Sequence, residues 1–331
     1  MGLMLKPGAY GPLPTFFTDD QEIDYESYKK HLLIIVQDLA KRGINPVCAG
    51  SLGEAVHLSP EERVALIDFI RRTLDDAGMT DMPIVAGVGG SSTRETIRLA
   101  HAAANAGADA GLVILPAYYA ASLSTDQEQI IQYYVDICKG SPIPLFLYNF
   151  PANSAGLDMS SAIIEAVIRQ APNLCGVKLT CGGSVAKLIR LSSFINSEPS
   201  VNSCRPYPFL LLDGLISDLT PWMKCGGHGT VSGIPNFAPA ASMRLWALLN
   251  KLDLTDDEKR EAERIQSILS NADVAAVPAG VRGMKYVLHK LHGYGMDPRR
   301  PLLRLGEAEG EQLMSQFKEM IELEAEYSET V

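Results

Sequence analysis

Eight short apolar runs of strand length, separated for most of the chain by longer amphipathic runs of helix length, constrain this sequence more than any other feature. The runs are Gly11 to Phe17, Ile44 to Gly50, Pro83 to Val88, Ala110 to Leu115, Pro144 to Asn149, Cys175 to Thr180, Pro208 to Asp213 and Gly229 to Gly233. Such alternation marks βαβ units, because parallel strands need a crossover helix between them. Leu112-Val113-Ile114-Leu115 and Pro144-Leu145-Phe146-Leu147 are apolar at successive positions, as in a parallel sheet covered by helices on both faces. Eight strands with eight helices fill about 250 residues as a closed (β/α)8 TIM barrel. A doubly wound open sheet fits less well. No G-x-G-x-x-G follows the first strand, and Gly87-Val88-Gly89-Gly90 has the wrong spacing and reads as the turn ending the third.

Helix starts are signalled by caps. Ser59-Pro60-Glu61-Glu62, Ser92-Thr93-Arg94-Glu95 and Thr125-Asp126-Gln127-Glu128 each set a hydroxyl three residues before a glutamate, the spacing that satisfies two orphan N–H groups reciprocally. After about Asn250 strands cease. Thr255-Asp256-Asp257-Glu258 opens a further capped helix, and Pro278 to Leu291 and Glu307 to Tyr327 read as two more. The expected organisation is an α/β catalytic barrel over residues 1–250 and a C-terminal α-helical extension over 251–331.

With 331 residues, 47% hydrophobic and 21% charged, the chain is in the globular class and can bury a large core. A net charge of −10 repels phosphate backbones and anionic lipid, so neither nucleic acid nor a membrane surface is an expected partner. No apolar run reaches the roughly eighteen residues of a membrane span. Cys48, Cys138, Cys175, Cys181, Cys204 and Cys225 include no C-x-x-C pair and read as free thiols in a reducing compartment. Met1 to Tyr10 lacks the apolar run of a signal peptide, and Lys6 stands where a myristoylation signal beginning at Gly2 needs Ser or Thr. A cytoplasmic protein is expected.

In a barrel of this kind reactive groups come from the carboxyl ends of the strands. That rule selects Gly50-Ser51-Leu52-Gly53-Glu54, Tyr118 and Tyr119, Tyr148-Asn149, Lys178 and Asp213. Lys178 lies inside Cys175-Gly176-Val177-Lys178-Leu179-Thr180. Two readings stand there: a lysine extending its ammonium out at the strand end, or one turned into the barrel, where desolvation disfavours the charged form and leaves an amine that condenses with ketones. Tyr148 ends the neighbouring strand and is either a rim aromatic or the phenol that relays protons during imine chemistry. The Gly50 to Gly53 turn offers backbone N–H groups and the Ser51 hydroxyl to a carboxylate. His289 and His292 lie three apart on an expected helix, but no third ligand accompanies them and no metal is expected. By sequence His57 and His228 fall near the barrel mouth, where either could assist, though one histidine in each place is a weak signal. No Walker loop and no G-x-S-x-G elbow occur, which counts against phosphoryl transfer and serine hydrolysis.

Taken together, Gly50-Ser51-Leu52-Gly53-Glu54, Pro116-Ala117-Tyr118-Tyr119, Tyr148-Asn149-Phe150-Pro151, Gly176-Val177-Lys178 and Gly226-Gly227-His228-Gly229 resemble, in order and spacing over nearly the whole chain, the dihydrodipicolinate synthase / N-acetylneuraminate lyase family. These are class I pyruvate-dependent aldolases on a TIM barrel. The resemblance implies that Lys178 forms a covalent imine with a 2-keto acid, with no separate cofactor and no metal, and that Tyr148 relays the proton. It implies that Ser51 and the Gly50, Leu52 and Gly53 neighbourhood hold the keto acid's carboxylate. Tyr118 would complete a hydroxyl chain, often from an adjacent subunit of a dimer or tetramer.

Two departures refine this. Leu52 stands where many relatives carry a second hydroxyl residue. Ala152-Asn153-Ser154 stands where a dihydrodipicolinate synthase places a carboxylate-gripping arginine. The Pro-Ala-Asn segment followed by Gly156-Leu157-Asp158 looks more like aldolases of 4-hydroxy-2-oxoglutarate or of 2-keto-3-deoxy sugar acids such as 2-keto-3-deoxy-L-galactonate. The hydroxyls of such an aldehyde need neutral partners, which Asn153, Ser154, Thr180, Ser232 and Gly233 can line. The expected function is a Schiff-base aldolase releasing pyruvate or glyoxylate plus a partner. The rivals are a synthase condensing pyruvate with aspartate semialdehyde, and a non-catalytic keto-acid-binding barrel.

Overall fold

The computed structural model describes residues 3, 5–36 and 44–328; Met1 and Gly2, on which the N-terminal targeting expectation partly rests, lie outside the described residues. The chain runs β1 (Gly8–Pro12), α1 (Tyr25–Val36), β2 (Asn45–Cys48), α2 (Pro60–Asp76), β3 (Val85–Gly87), α3 (Thr93–Asn105), β4 (Ala110–Ile114), α4 (Ala120–Thr125), α5 (Gln127–Gly140), β5 (Leu145–Asn149), α6 (Ser161–Gln170) and β6 (Leu174–Leu179). It continues through α7 (Ser184–Ser197), α8 (Pro199–Ser203), β7 (Leu210–Asp213), α9 (Leu219–Lys224), β8 (Gly229–Val231), α10 (Pro239–Leu249), α11 (Asp256–His292) and α12 (Glu307–Ser328). The strands are hydrogen-bonded in the order β1 to β8 and close as a barrel, so the expected (β/α)8 fold with C-terminal helices is the observed one.

Two compact units make up the chain: Pro60–Gly214 with Pro221–Gly229 and the residues before Gly8, and Gly8–Ser59 with Leu215–Thr220 and Thr230–Val331. In the first, β3 to β7 pair in parallel, and every residue of β5, β6 and β7 is buried, as runs apolar on both faces require. Gly176 in β6 has no room for a side chain. A Cβ there would lie 2.5 and 2.8 Å from the Phe146 ring and closer still to the Leu210 carbonyl. Arg205 ties the end of α6 to the start of β6: its guanidinium donates to the carbonyls of Ile168 (2.7 Å) and Ala171 (3.0 Å), left over as α6 ends, and to the carbonyl of Leu174 (2.9 Å), the first residue of β6. Ser92 caps α3 as its spacing predicts, accepting from the Glu95 amide. At α5 the expected cap moves by one residue. Thr125 closes α4 and donates to the Ser122 carbonyl, so Asp126 is the cap and accepts from the Glu128 amide.

In the second unit, Tyr10, Gly11 and Pro12 pair with Asn45, Pro46 and Val47. The expected first strand, Gly11 to Phe17, thus starts too late and runs too far. Pro12 and Pro14 supply no N–H, and the chain leaves the ladder after the Leu13 amide bonds the Val47 carbonyl. Thr255 and Glu258 form a full capping box at the start of α11. The two helices expected from Thr255 and Pro278 meet as one element broken at Gly280, whose φ of 55° and ψ of −146° are non-helical. Glu324 of α12 accepts from the Ala240 and Ala241 amides at 3.0 and 2.9 Å, satisfying orphan donors at the start of α10.

Candidate active site

In the first unit the carboxyl ends of β5 and β6 carry the principal groups. Tyr148 and Lys178 are register partners, so their side chains leave the sheet on one face. Lys178 is 5% exposed, which removes the reading of an ammonium extended into solvent. Its Nζ lies 4.1 Å from the centroid of the Tyr148 ring, itself buried and stacked on Phe150. Among the described residues no carboxylate forms an ion pair with Lys178.

Asn149 organises the loop beyond β5. Fully buried, it donates to Asp158 Oδ1 (2.7 Å) and accepts from the Met159 amide (3.0 Å), closing a loop that Ala155 and Gly156 turn with positive φ. Within it Asn153 is exposed, whereas Ser154 is buried and its Oγ has no hydrogen-bond partner among the described residues. Thr180, whose amide bonds the Asn149 carbonyl at 2.9 Å, likewise keeps a buried Oγ1 without a partner. Lys187, which the sequence did not single out, reaches from α7 to Asp158 and to Cys181 Sγ at 3.5 Å. The loop lacking its own cation is therefore served by one 29 residues away. Tyr118 and Tyr119 are 89% and 71% exposed and pack edge to face. Asp213 ends β7 with no exposed surface.

In the second unit the turn after β2 is wound tightly. Ala49 and Glu54 flank it with positive φ, the Glu54 amide bonds the Ser51 carbonyl, and Thr15 Oγ1 donates to the Gly53 carbonyl at 2.8 Å. Gly53 is closely confined: a Cβ there would lie 3.0 Å from the Leu13 carbonyl and 3.1 Å from the Ala49 nitrogen. Among the described residues the Ser51, Leu52 and Gly53 amides donate to nothing, so three N–H groups gather on one turn beside a hydroxyl. Leu52, the departure from the hydroxyl pattern, has packing work instead. Its Cδ1 and the Met284 Cε each come within 3.3 Å of where a Gly233 side chain would begin. Ser232 is buried, its Oγ unpartnered.

Glu54 is buried and heavily engaged. Lys285 Nζ lies 2.5 Å from its Oε1, while Oε2 accepts the Arg299 amide and contacts His57 Nδ1, each at 2.9 Å. Burial pushes Lys285 down to about 8 even against the pull of Glu54. Of the histidines, His57 thus serves this turn. His228 does not fit a place near the site: it precedes β8, at the amino end of the strand, where its Nδ1 accepts from the Leu211 amide and burial lowers its pKa. His289 contacts the Tyr294 carbonyl through Nδ1, and His292 stacks on the Tyr294 ring.

The parallel barrel thus buries a lysine on its sixth strand against a tyrosine on its fifth. The chain belongs to the dihydrodipicolinate synthetase family, whose model matches residues 7–320. It is 37% identical over 321 residues, covering 97% of this chain and 96% of the relative, to the "Probable 4-hydroxy-2-oxoglutarate aldolase, mitochondrial" of Emericella nidulans. It is 34% identical, with the same coverage, to the L-threo-3-deoxy-hexylosonate aldolase of Aspergillus niger. Among solved structures it resembles YagE of Escherichia coli K12, a dihydrodipicolinic acid synthase family protein in complex with pyruvate, at a TM-score of 0.79 and 25% identity over 96% of this chain and 99% of that one. The named relatives are aldolases, hence lyases, as expected from the sequence. Among the described residues no helix is long and apolar enough to cross a membrane.

Proposed function

We propose that the protein is a Schiff-base aldolase that cleaves a 2-keto acid hydroxylated at C4, either 4-hydroxy-2-oxoglutarate or a 2-keto-3-deoxy sugar acid. The observation that carries this is Lys178, buried, without a carboxylate partner among the described residues and 4.1 Å from the Tyr148 ring centroid. Lys178 Nζ adds to the C2 carbonyl, and loss of water gives the iminium. Tyr148 gives its phenol proton to the departing hydroxyl and, as the phenolate, takes the C4 hydroxyl proton as the C3–C4 bond breaks; the aldehyde leaves and the electron pair of that bond becomes the enamine. Protonation at C3 and hydrolysis then free pyruvate and the amine. No dissociable cofactor enters this sequence.

The unengaged amides of Ser51, Leu52 and Gly53 suit the substrate carboxylate, and the partnerless hydroxyls of Ser154, Thr180 and Ser232, with Asn153 and Gly233, suit a hydroxylated leaving aldehyde. The neutral Ala152-Asn153-Ser154 segment favours cleavage over condensation with aspartate semialdehyde. The names of the relatives and the pyruvate in the YagE complex support the same reading. The exposed Tyr118–Tyr119 pair suits contact with another copy, making the active form a homodimer or tetramer. Free cysteines suit a reducing compartment such as the cytoplasm.

Borohydride reduction in the presence of pyruvate, followed by intact-mass analysis, tests the chemistry. Wild type should gain one reduced pyruvyl group and Lys178→Ala none. No adduct on wild type, or an equal adduct on the variant, overturns it. A pyruvate-release assay across 4-hydroxy-2-oxoglutarate and the deoxy acids then selects the substrate.

A further inference from the structure

The turn that offers Ser51, Leu52 and Gly53 is held from far along the chain. Glu54, which ends it, combines burial with a left-handed backbone of φ 54° and ψ 39°, a conformation unfavourable for a non-glycine residue that persists where its surroundings over-determine it. Those surroundings are residues 285 to 299. Lys285, with no exposed surface, places Nζ 2.5 Å from Glu54 Oε1, donates to the Asp297 carbonyl at 3.0 Å and sits 4.3 Å over the Phe17 ring. Arg299 gives its amide to Glu54 Oε2 at 2.9 Å, its Nη1 to the His57 carbonyl at 2.9 Å and its Nη2 to the Gln21 carbonyl at 2.6 Å.

A buried ion pair is a costly way to gain stability, because desolvating two charges offsets their attraction; well-packed apolar side chains of the same volume do at least as well. What the pair supplies that apolar packing does not is a fixed position. With Oε1 tied to Lys285 and Oε2 to Arg299 and His57, the carboxylate has one orientation and the turn one conformation.

We propose that Lys285 and Arg299 are positioning residues that act through Glu54 to hold the Gly50–Gly53 turn in the geometry that binds the carboxylate of a 2-keto acid. This rests on the assignment of that turn as the carboxylate site and of Lys178 as the imine lysine. The C-terminal segment thus takes part in substrate binding without touching substrate.

The decisive variant is the double substitution Glu54→Gln, Lys285→Met, which removes both charges and leaves none stranded. Its pyruvate half-saturation in borohydride trapping should rise at least tenfold, with the extent of Lys178 modification at saturation unchanged and kcat within about threefold of wild type. A control on the same helix is Asp273→Asn, at a buried carboxylate that accepts the Ser217 amide at 3.1 Å, and it should leave half-saturation within twofold. Half-saturation within twofold of wild type in the double variant overturns the proposal, as does an equal rise in the control. A wild type that traps no pyruvate refutes the imine reading instead.

A measurement on wild type needs no variant to fold. Ligand at the turn must protect the segment that holds the turn, because coupling is reciprocal. Deuterium exchange in the peptide containing Arg299 should slow at least threefold with saturating pyruvate; unchanged exchange overturns the proposal.

Discussion

Acid should destabilise this protein through one histidine whose environment is fully specified. His31 of α1 is 1% exposed and lies between the rings of Phe16 and Tyr294, at centroid distances of 5.5 and 5.6 Å. Its Nε2 is 3.0 Å from Asn236 Oδ1, and because Asn236 Nδ2 donates to the carbonyls of Pro12 and Gly233, the imidazole must be the donor. Nδ1 therefore carries no proton, and among the described residues it has no partner. Burial, opposed by the Asn236 bond and reinforced by His292, brings the pKa from 6.5 down to about 4. Between those values the unfolded chain holds the extra proton and the folded chain does not, so stability falls as pH falls through this window and levels off below it. From pH 7 to pH 5 the loss works out at about 2 kcal/mol, and by pH 4 at about 3 kcal/mol. Denaturant unfolding of wild type and His31→Gln at pH 7 and pH 5 measures it, since other titrating groups cancel in the difference. NMR of the His31 ring gives the midpoint directly. A midpoint near 6, or an equal loss in the variant, refutes the account.

Gly176→Ala forces a methyl against the Phe146 ring and the Leu210 carbonyl, which should cost about 3 kcal/mol and lower the thermal midpoint by several degrees; a shift under one degree in calorimetry contradicts the packing described. Asn149→Leu strands the buried Met159 amide, a loss of about 1–3 kcal/mol, and should open residues 150–158 to proteolysis, with cleavage mapped by mass spectrometry. Resistance equal to wild type would mean that Asn149 does not hold the loop.

The eight strands were readable because buried parallel strands leave uninterrupted apolar runs, and Tyr148 and Lys178 followed once those runs had ends. Pattern alone erred where apolar residues are buried without joining a ladder, as with Phe16 and Phe17 beyond the end of β1. It also erred where two capping residues adjoin, as with Thr125 and Asp126. Lys285 was in view within Gly283-Met284-Lys285-Tyr286-Val287-Leu288, a lone charge in a buried run. Its partner was not, because one sequence carries no record of which distant residues pair. The same separation hid Lys187 from Asp158 and Arg299 from Glu54.

That last separation, 245 residues, bears on how the molecule is made. A ribosome releases Gly50–Glu54 early, but the guanidinium-bearing residue that locks it emerges only after the barrel strands have been translated. On the function proposed above, a polypeptide that ends before this residue leaves Glu54 without the contacts that hold it, so unfinished copies should bind a keto acid more weakly than the full chain.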